Sequence, residues 1–324
     1  MAKAIRFHKT GGPEVLVYED VSVGDPGPDE ARVKNNAIGL NFIDTYQRSG
    51  LYPLPLPSGL GLEGAGVVEA VGKNVTWVKP GDRVAYAGGP PGAYSEVRLI
   101  PAHRLVKIPE GISDRTAAGA MLKGLTTQYL IRQTFKVQPG QTVLFHAAAG
   151  GVGMIAGQWL KALGVTAIGT VGSDEKAKAA KAHGYAHTIV YTRENFVERV
   201  KEITGGKGVP VVYDSVGKDT FMGSLDCLQP RGLVAMFGNG SGPVPPFDLG
   251  LLAAKGSLFV TRPTLMTYTA RREDLEASAA ELFDVIKSGK VKIEINQTYA
   301  LKDASQAHRD LEGRKTTGST VLLP

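Results

Sequence analysis

A glycine-rich turn between a buried strand and a helix constrains the fold of this chain more than any other feature. Thr142–Phe145 is a short apolar run of β-forming residues, as expected of a strand buried on both faces. The turn at residues 148–153 follows it, and apolar residues then recur at helical spacing. Backbone N–H groups at the start of such a helix favour an anion, and a turn without side chains admits a pyrophosphate. Three residues are expected along that pyrophosphate: Gly150, Gly151 and Val152.

Strand and helix patterns alternate regularly from residue 142 to residue 261. Strands are expected at 142–146, 166–171, 188–191, 209–214, 232–238 and 257–261, and helices at about 152–163, 174–183, 195–204 and 219–228. Repeated strand–helix units imply a parallel sheet with right-handed crossovers. We therefore predict an α/β protein whose residues 125–261 form a doubly wound Rossmann domain.

The flanking segments have a different character. Residues 1–124 are mostly β-structure interrupted by glycine and proline turns, typical of a small irregular β-barrel. Its strands are expected at 4–7, 14–21, 31–40, 61–72 and 83–87, with a short helix at 43–49. Residues 262–324 contain helices at 273–288 and 304–312 and strands at 291–294 and 319–323. This last segment is too short to fold alone, so we expect it to pack against the first domain.

Composition excludes several classes of protein. The net charge of +6 is modest for 324 residues, and basic residues are scattered, so nucleic acid is not an expected partner. Residues 137–160 contain no Lys, Arg, Asp or Glu, but Pro139 and five glycines argue against a membrane span. No signal peptide is expected, because charged residues interrupt the first ten positions. One cysteine, Cys227, allows neither an internal disulfide nor a cysteine-cluster metal site, and suits a cytoplasmic location.

Cofactor choice is decided near the end of the second Rossmann strand, roughly 20 residues after the glycine turn. Gly172 and Ser173 leave room there for a 2′-phosphate, which Lys176 can neutralise. Asp174 is close enough to bind ribose hydroxyls instead, as in an NAD enzyme, or merely to cap the helix. The residues alone leave these alternatives open. Ser215 follows the end of a later strand, where an open α/β sheet places ligands.

Several motifs, in order along nearly the whole chain, carry a family resemblance. They lie at residues 8–16, 41–46, 80–84, 147–153, 212–217 and 237–239. Together they resemble the zinc-free quinone oxidoreductases (zeta-crystallin-like) of the medium-chain dehydrogenase/reductase superfamily. The resemblance implies a GroES-like catalytic domain, a Rossmann domain, NADPH as cofactor, a small quinone as substrate and a homodimer.

The resemblance also implies roles for individual residues. It assigns Lys176 and Tyr191 to the 2′-phosphate. The nicotinamide-side contacts that it implies are Ser215, Phe237, Gly238, Asn239 and Gly240, with Tyr129 and Arg314 as further cofactor contacts. Residues expected to line the cleft near the nicotinamide are Phe42, Ile43, Asp44, Thr45 and Tyr46.

The resemblance also bears on catalysis. Asn41 stands where the zinc-containing alcohol dehydrogenases supply a cysteine, and Leu62–Glu63 where they supply a His-Glu pair, so no metal site is expected. Tyr46 and Tyr52 are candidates for orienting the substrate or donating a proton, and packing is an equal alternative for both.

Three functions remain open at this point. Without a metal to polarise a carbonyl, the expected acceptor is already electron-poor, such as a quinone. An alkenal or enoyl reductase, which saturates a conjugated double bond, is the second possibility. A cofactor-binding protein with a structural or RNA-binding role is the third.

Overall fold

A computed structural model describes all 324 residues, from Met1 to Pro324. The chain divides into two compact units. The first comprises Met1–Leu125, Thr269–Lys287 and Ile293–Pro324, and the second comprises Thr126–Tyr268 and Ser288–Lys292. The expected boundaries lay after residues 124 and 261. None of the helices combines the length and apolar character needed to cross a membrane.

The N-terminal segment of the chain is mainly β-structure. Its elements are β1 (Ala2–Phe7), β2 (Val17–Val21), β3 (Glu30–Leu40), α1 (Phe42–Ser49), β4 (Ser58–Gly59), β5 (Glu63–Val71), β6 (Arg83–Ala87), β7 (Val97–Pro101), β8 (Val106–Lys107) and α2 (Asp114–Tyr129). Large side chains from this segment, among them Phe7, Tyr86 and Tyr94, form part of the core of the first unit.

The second unit is a parallel sheet with helical connections. Its elements are β9 (Thr142–Phe145), α3 (Gly151–Ala162), β10 (Thr166–Val171), α4 (Asp174–Ala182), β11 (His187–Val190), α5 (Phe196–Ile203), β12 (Val209–Asp214), α6 (Phe221–Asp226), β13 (Leu228–Met236), α7 (Gly250–Ala254), β14 (Phe259–Thr261) and α8 (Leu265–Tyr268). The strand order is β11-β10-β9-β12-β13-β14, and every pairing is parallel. This order is that of a doubly wound dinucleotide-binding sheet.

The C-terminal elements complete the first unit. They are α9 (Arg272–Lys287), β15 (Ile295–Ala300), α10 (Ala304–Glu312) and β16 (Ser319–Leu323). β16 pairs in parallel with β15 and antiparallel with β3, placing Thr320 opposite Leu40 and Leu322 opposite Ile38. The resulting seven-stranded sheet has the order β15-β16-β3-β5-β6-β8, with β7 also paired to β3. A three-stranded sheet, β2-β1-β4, accompanies it.

Some sequence-based element bounds were wrong. The strand expected at 291–294 lies further on, at β15, whose residues alternate between half-buried and exposed and so give a weak apolar signal. The strand expected at 14–21 begins only at Val17, because Pro13–Val15 forms a single 3₁₀ turn with proline at its start. β7 and the short elements β8, α7 and α8 were not predicted.

Candidate active site

Five neighbouring strands of the second unit end at one edge of its sheet. Because β11, β10, β9, β12 and β13 are parallel, the residues that follow their last positions share that edge. The structure therefore brings together most of the predicted cofactor contacts: Gly150, Gly151 and Val152 after β9, Gly172, Ser173 and Lys176 after β10, Tyr191 after β11, Ser215 after β12, and Phe237, Gly238, Asn239 and Gly240 after β13.

The turn after β9 is too tightly packed for side chains at its key position. Ala147 has a positive φ of 55°, and the Ala148 N–H donates to the Thr170 carbonyl at 3.0 Å. A Cβ on Gly153 would lie 2.5 Å from the Ala147 carbonyl oxygen and 2.6 Å from that of Ala148. The helix therefore begins directly at the turn, and its first backbone N–H groups are directed towards the strand-end edge.

The loop after β10 forms a small polar recess with Tyr191. A Cβ on Gly172 would lie 2.8 Å from the Tyr191 hydroxyl, so glycine keeps the space before that hydroxyl clear. Ser173 caps α4, its Oγ accepting the Lys176 backbone N–H at 3.3 Å. Tyr191 is 42% exposed. The recess thus offers a phenol and a serine, and Lys176 lies on the first turn of the helix that follows.

Asp174, which a ribose could bind in an NAD enzyme, already has a cationic partner. The Arg193 guanidinium donates to both of its carboxylate oxygens, at 2.6 and 2.7 Å. Hydrogen bonding from Arg193 lowers the pKa of Asp174, and both side chains are exposed. The pairing of Arg193 with Asp174 was not predicted, because it joins the start of α4 to the loop after β11, 19 residues further along the chain.

A buried carboxylate supports the loop after β12. Asp214 accepts the backbone N–H groups of Val216 and Gly217 at 2.8 and 3.1 Å and the Ser224 hydroxyl at 2.8 Å. His146, expected to be structural, is 1% exposed, with Nε2 3.0 Å from the Ser224 Oγ. Burial lowers the pKa of His146. Sequence reasoning missed Asp214, although its place at a strand end was a signal.

The loops after β12 and β13 touch closely. A Cβ on Gly238 would lie 2.5 Å from the Ser215 carbonyl oxygen, which also accepts the Gly240 N–H at 3.0 Å. The Phe237 ring packs 5.7 Å from that of Phe145. Elsewhere in the second unit, Tyr129 stacks on Tyr268 with ring centroids 4.5 Å apart, and burial raises its pKa. A tyrosine that keeps its proton this firmly offers a hydrogen-bond donor.

In the first unit, Phe42 and Tyr46 of α1 and Tyr52, just after the helix, form an aromatic row, called here the aromatic row of α1. Phe42 lies 6.3 Å from Tyr46, and Tyr46 lies 5.4 Å edge-on from Tyr52. Phe42 is 40% exposed, and Ile43, Tyr46 and Tyr52 are half-buried. Asp44 and Thr45 are buried instead, and the Thr45 hydroxyl donates to the Phe42 carbonyl at 2.7 Å.

A buried hydrogen-bond chain fixes the start of α1. Asp44 Oδ2 accepts the Asn41 N–H and the Tyr94 hydroxyl, each at 2.9 Å. The Tyr94 hydroxyl lies 3.1 Å from His308 Nε2, and Arg48 donates to His308 Nδ1 at 2.9 Å. Because arginine can only donate, a neutral His308 carries its proton on Nε2, and each donor in the chain points towards Asp44.

Burial shifts both titratable ends of this chain towards the neutral form. It raises the pKa of Asp44 to about 7, although the Asn41 and Tyr94 hydrogen bonds oppose the shift. It lowers the pKa of His308 to about 3, and the Arg48 charge adds to that effect. Arg48 is itself neutralised by Glu312 at 2.6 Å. The hydrogen-bond chain thus joins α1 to α10. When His308 is neutral and Asp44 is protonated, these two groups bury no charge.

Next to Asn41 lies a buried ion pair that sequence reasoning missed. Glu63 Oε2 is 3.0 Å from Lys123 Nζ and accepts the Asn41 Nδ2 group at 2.8 Å, while Glu63 Oε1 accepts the Leu122 N–H at 2.7 Å. Glu63 is 0% exposed. Lys123 is 60 residues from Glu63 in sequence and lies on a helix of mostly uncharged residues, so no local pattern predicts the pair.

The donor set at this position does not fit a zinc ion. Nowhere in the chain are three or more histidine, cysteine, aspartate or glutamate side chains grouped to hold a metal. Asn41 offers a neutral amide, Leu62 offers no donor, and the carboxylate of Glu63 is paired with an ammonium. Zinc prefers thiolate, imidazole and carboxylate ligands, and a lysine ammonium opposes a second cation.

Arg314 is the last of the predicted contacts along the chain. It belongs to the first unit, just after α10, where it is exposed and has a positive φ of 57°.

Comparisons with known proteins agree with this geometry. The family model for the zinc-binding dehydrogenases matches residues 151–284, and that for the alcohol dehydrogenase GroES-like domain matches residues 27–110. The chain is 62% identical to a quinone oxidoreductase of Pseudomonas aeruginosa over the full length of both. It is 49% identical to a 2-haloacrylate reductase of a Burkholderia species, covering 100% of this chain and 99% of that one.

A solved structure gives the same result. The quinone oxidoreductase of Escherichia coli, crystallised with NADPH, is 55% identical, superimposes with a TM-score of 0.98 and covers 100% of each chain. These likenesses confirm the expected α/β fold, with a GroES-like domain and a Rossmann sheet. The protein therefore belongs to the quinone oxidoreductase family of the medium-chain dehydrogenase/reductase superfamily.

Proposed function

We propose that this protein reduces quinones with electrons from NADPH. The observation that carries the proposal is the strand-end edge of the second unit, where the glycine turn and the Gly172–Tyr191 recess lie together. A glycine turn at a helix N-terminus suits a pyrophosphate, and the recess with Lys176 suits a 2′-phosphate. The Escherichia coli relative, crystallised with NADPH, supports this choice of cofactor.

The cofactor contacts are divided along the edge. Gly150, Gly151 and Val152 hold the pyrophosphate, and Gly172, Ser173, Lys176 and Tyr191 hold the 2′-phosphate. Arg193 strengthens the preference for NADPH because it occupies the carboxylate that an NAD ribose needs. Ser215, Phe237, Gly238, Asn239 and Gly240 contact the nicotinamide side, and Tyr129 and Arg314 add further contacts. When bound, NADPH supplies the hydride.

The acceptor is bound by the aromatic row of α1. Flat electron-poor rings stack on aromatic side chains, and Phe42, Tyr46 and Tyr52 offer three in succession. Asn41 orients the acceptor with its amide, and Tyr46 and Tyr52 supply hydroxyl donors. Ile43 contributes apolar contact, while Asp44 and Thr45, whose side chains are buried, position the helix. Catalysis then rests mainly on holding the reactants together and excluding water.

We also propose that the reaction is independent of zinc. The pairing of Glu63 with Lys123, rather than with a metal, supports this. Full activity is expected after dialysis against a strong chelator, with less than stoichiometric zinc by elemental analysis. Loss of activity on chelation, followed by recovery when zinc is added back, overturns this part of the proposal.

The protein is further proposed to act as a cytoplasmic homodimer. The outer strand of the parallel sheet, β14, carries Phe259 with 59% of its surface exposed, and Leu249, directly before α7, is 71% exposed. An apolar sheet edge of this kind supports self-association about a two-fold axis. The single, buried and unpaired Cys227 is in keeping with a reducing compartment.

The function is tested by comparing acceptors under one set of conditions. NADPH oxidation is measured with a benzoquinone and a naphthoquinone, and NADP⁺ reduction is measured with a simple alcohol. The enzyme-free rate is subtracted because quinones react unaided. We expect turnover of both quinones, no oxidation of the alcohol with NADP⁺, and a clear preference for NADPH over NADH. Absence of quinone turnover overturns the proposal.

A second candidate is the reduction of a conjugated carbon–carbon double bond. The relative named 2-haloacrylate reductase favours it, since that protein matches this chain over its full length. Adding 2-chloroacrylate and a medium-chain enal to the panel separates the two functions. If either exceeds the quinones tenfold in kcat/KM, which is about 1.4 kcal/mol of transition-state preference, the second function replaces the first.

A further inference from the structure

The buried ion pair between Lys123 and Glu63 is costly for the stability of the fold. Bringing both charges out of water costs several kcal/mol per ion, and apolar residues of similar size are often as stable. Gly39 leaves no room for a side chain beside this pair: a Cβ there would lie 2.0 Å from Glu63 Oε2 and 2.3 Å from the Ala118 carbonyl oxygen. Three elements, the end of β3, the start of β5 and helix α2, are therefore shaped around one buried carboxylate.

The partners of this ion pair also differ in how deeply they are buried. Lys123 Nζ and Asn41 Nδ2 both lie within 3.0 Å of the same oxygen, Glu63 Oε2. Glu63 has no exposed surface, whereas the Asn41 residue and the Lys123 side chain keep 5% and 7% exposed. The carboxylate is thus the fully buried partner, while the Asn41 residue and the Lys123 side chain each keep a small exposed fraction.

We infer that Lys123 is a catalytic residue whose ammonium stabilises the negative charge that forms on the acceptor oxygen. This inference rests on the proposed quinone reduction. When a quinone accepts a hydride with its two electrons, an oxygen of the acceptor becomes an oxyanion, and a proton from solvent then completes the hydroquinone. A fixed cation in a site shielded from water stabilises such a charge far more than it does in bulk solvent.

Lys123 takes a position that suits this task. It stands beside Asn41 and Glu63, where the zinc-containing relatives place a metal that polarises the substrate oxygen. Glu63 holds the ammonium in place, while Asn41 gives the same oxygen a neutral partner. A buried ammonium therefore supplies the positive charge that the donor set cannot supply through zinc.

The test separates catalysis from structural support by removing both charges. Lys123→Met alone leaves Glu63 buried and unpaired, so it disturbs both folding and catalysis. The double variant Lys123→Met/Glu63→Gln leaves a neutral pair, and we expect it to melt near the wild type. Its kcat for a naphthoquinone should nevertheless remain roughly 10²- to 10³-fold low, as for loss of an oxyanion partner. The KM for NADPH should be unchanged.

A control and a second measurement sharpen the result. Lys107→Met breaks an exposed ion pair with Asp82 in the same unit and should leave kcat unchanged. NADPH deuterated at the transferred position should give a larger isotope effect on kcat in the double variant, because the chemical step becomes limiting. Recovery of wild-type kcat in the double variant overturns the inference, while quinone turnover by the wild type leaves the proposed function intact.

If the double variant does not fold, chemical rescue decides instead. Lys123→Ala is assayed with increasing concentrations of ethylammonium, which restores a cation of similar size. A kcat that rises with the amine supports a catalytic ammonium. A kcat that stays constant shows that Lys123 acts only through the fold.

Discussion

At the scale of single residues, the preference for NADPH over NADH depends on the small number of charged side chains near the end of β10. Lys176 is the cation on the first turn of α4, and Arg193 is already engaged by Asp174. The Gly172–Tyr191 recess adds space and a hydroxyl but no charge. Discrimination between NADPH and NADH should therefore depend largely on one side chain.

Lys176→Ala should weaken NADPH binding far more than NADH binding, because only NADPH carries the 2′-phosphate. A lost charge-assisted hydrogen bond costs ~1.5–3 kcal/mol, which is roughly ten- to hundredfold in affinity. Dissociation constants for both cofactors, measured by quenching of protein fluorescence, test this. Lys178→Ala, which removes an exposed lysine from the same helix, is the control. Equal losses for the two cofactors contradict the assignment.

Residues of the site differed in how well they could be predicted. The glycine turn and the residues after each strand were predictable, because a local pattern and the rule for parallel sheets together place them. Lys123 and Glu63 were not, since their contact joins positions 60 residues apart and depends on tertiary packing. Asp44 was expected near the nicotinamide, yet its carboxyl is buried against Tyr94, which its sequence neighbours do not indicate.

At the scale of elements, the position of α1 depends on a buried side chain that can titrate, the carboxyl of Asp44. Its Asp44 carboxyl is faced by Tyr94, Lys123 and Glu63, and burial raises its pKa from 3.8 to about 7. Since the folded-state pKa lies above the unfolded one, the native state holds the proton more tightly. The free energy of unfolding therefore falls, through this group, as pH rises from about 4 to about 7.

Asp44→Asn should remove this dependence while keeping an oxygen to accept the Asn41 and Tyr94 hydrogen bonds. Each pKa unit corresponds to ~1.4 kcal/mol, so the variant should gain stability relative to the wild type with rising pH. Urea unfolding at pH 5, 6, 7 and 8 measures the difference. Asp25→Asn, at a side chain that is 97% exposed, should show no such trend. A difference between wild type and Asp44→Asn that does not change with pH argues against a buried protonated carboxyl.

Buried helices and strands were easier to predict from the sequence than exposed ones. The strands of the Rossmann sheet are apolar on both faces, and two of them, β10 and β12, were predicted with the observed bounds. β15 has alternating exposure and polar residues, so its pattern was too weak to locate. Short elements such as β8 depend on pairing with a distant strand and leave no periodic signal.

At the scale of the whole molecule, the free edge of the parallel sheet should decide the oligomeric state. β14 pairs only with β13, and Phe259 on it is exposed. A carboxylate at this position should prevent pairing with a second copy through charge repulsion and loss of apolar burial.

Phe259→Glu should convert a dimer into a monomer at micromolar concentrations, as measured by sedimentation velocity. Val17→Glu is the matched control, because Val17 is also an exposed apolar residue on an outer strand, β2 of the three-stranded sheet. Only the first variant should dissociate. A wild type that sediments as a monomer, or a dimer that survives Phe259→Glu, contradicts the proposed assembly.

The pairing of β16 with β3 sets an order of events during synthesis. Almost all of the second unit is one continuous stretch, so it can fold as soon as Tyr268 has emerged from the ribosome. The first unit must wait, because Thr320 pairs with Leu40 directly before Asn41. The nucleotide-binding half is therefore ready while the nascent chain still lacks the strand that braces Asn41, and a stalled chain can capture cofactor before it can turn over an acceptor.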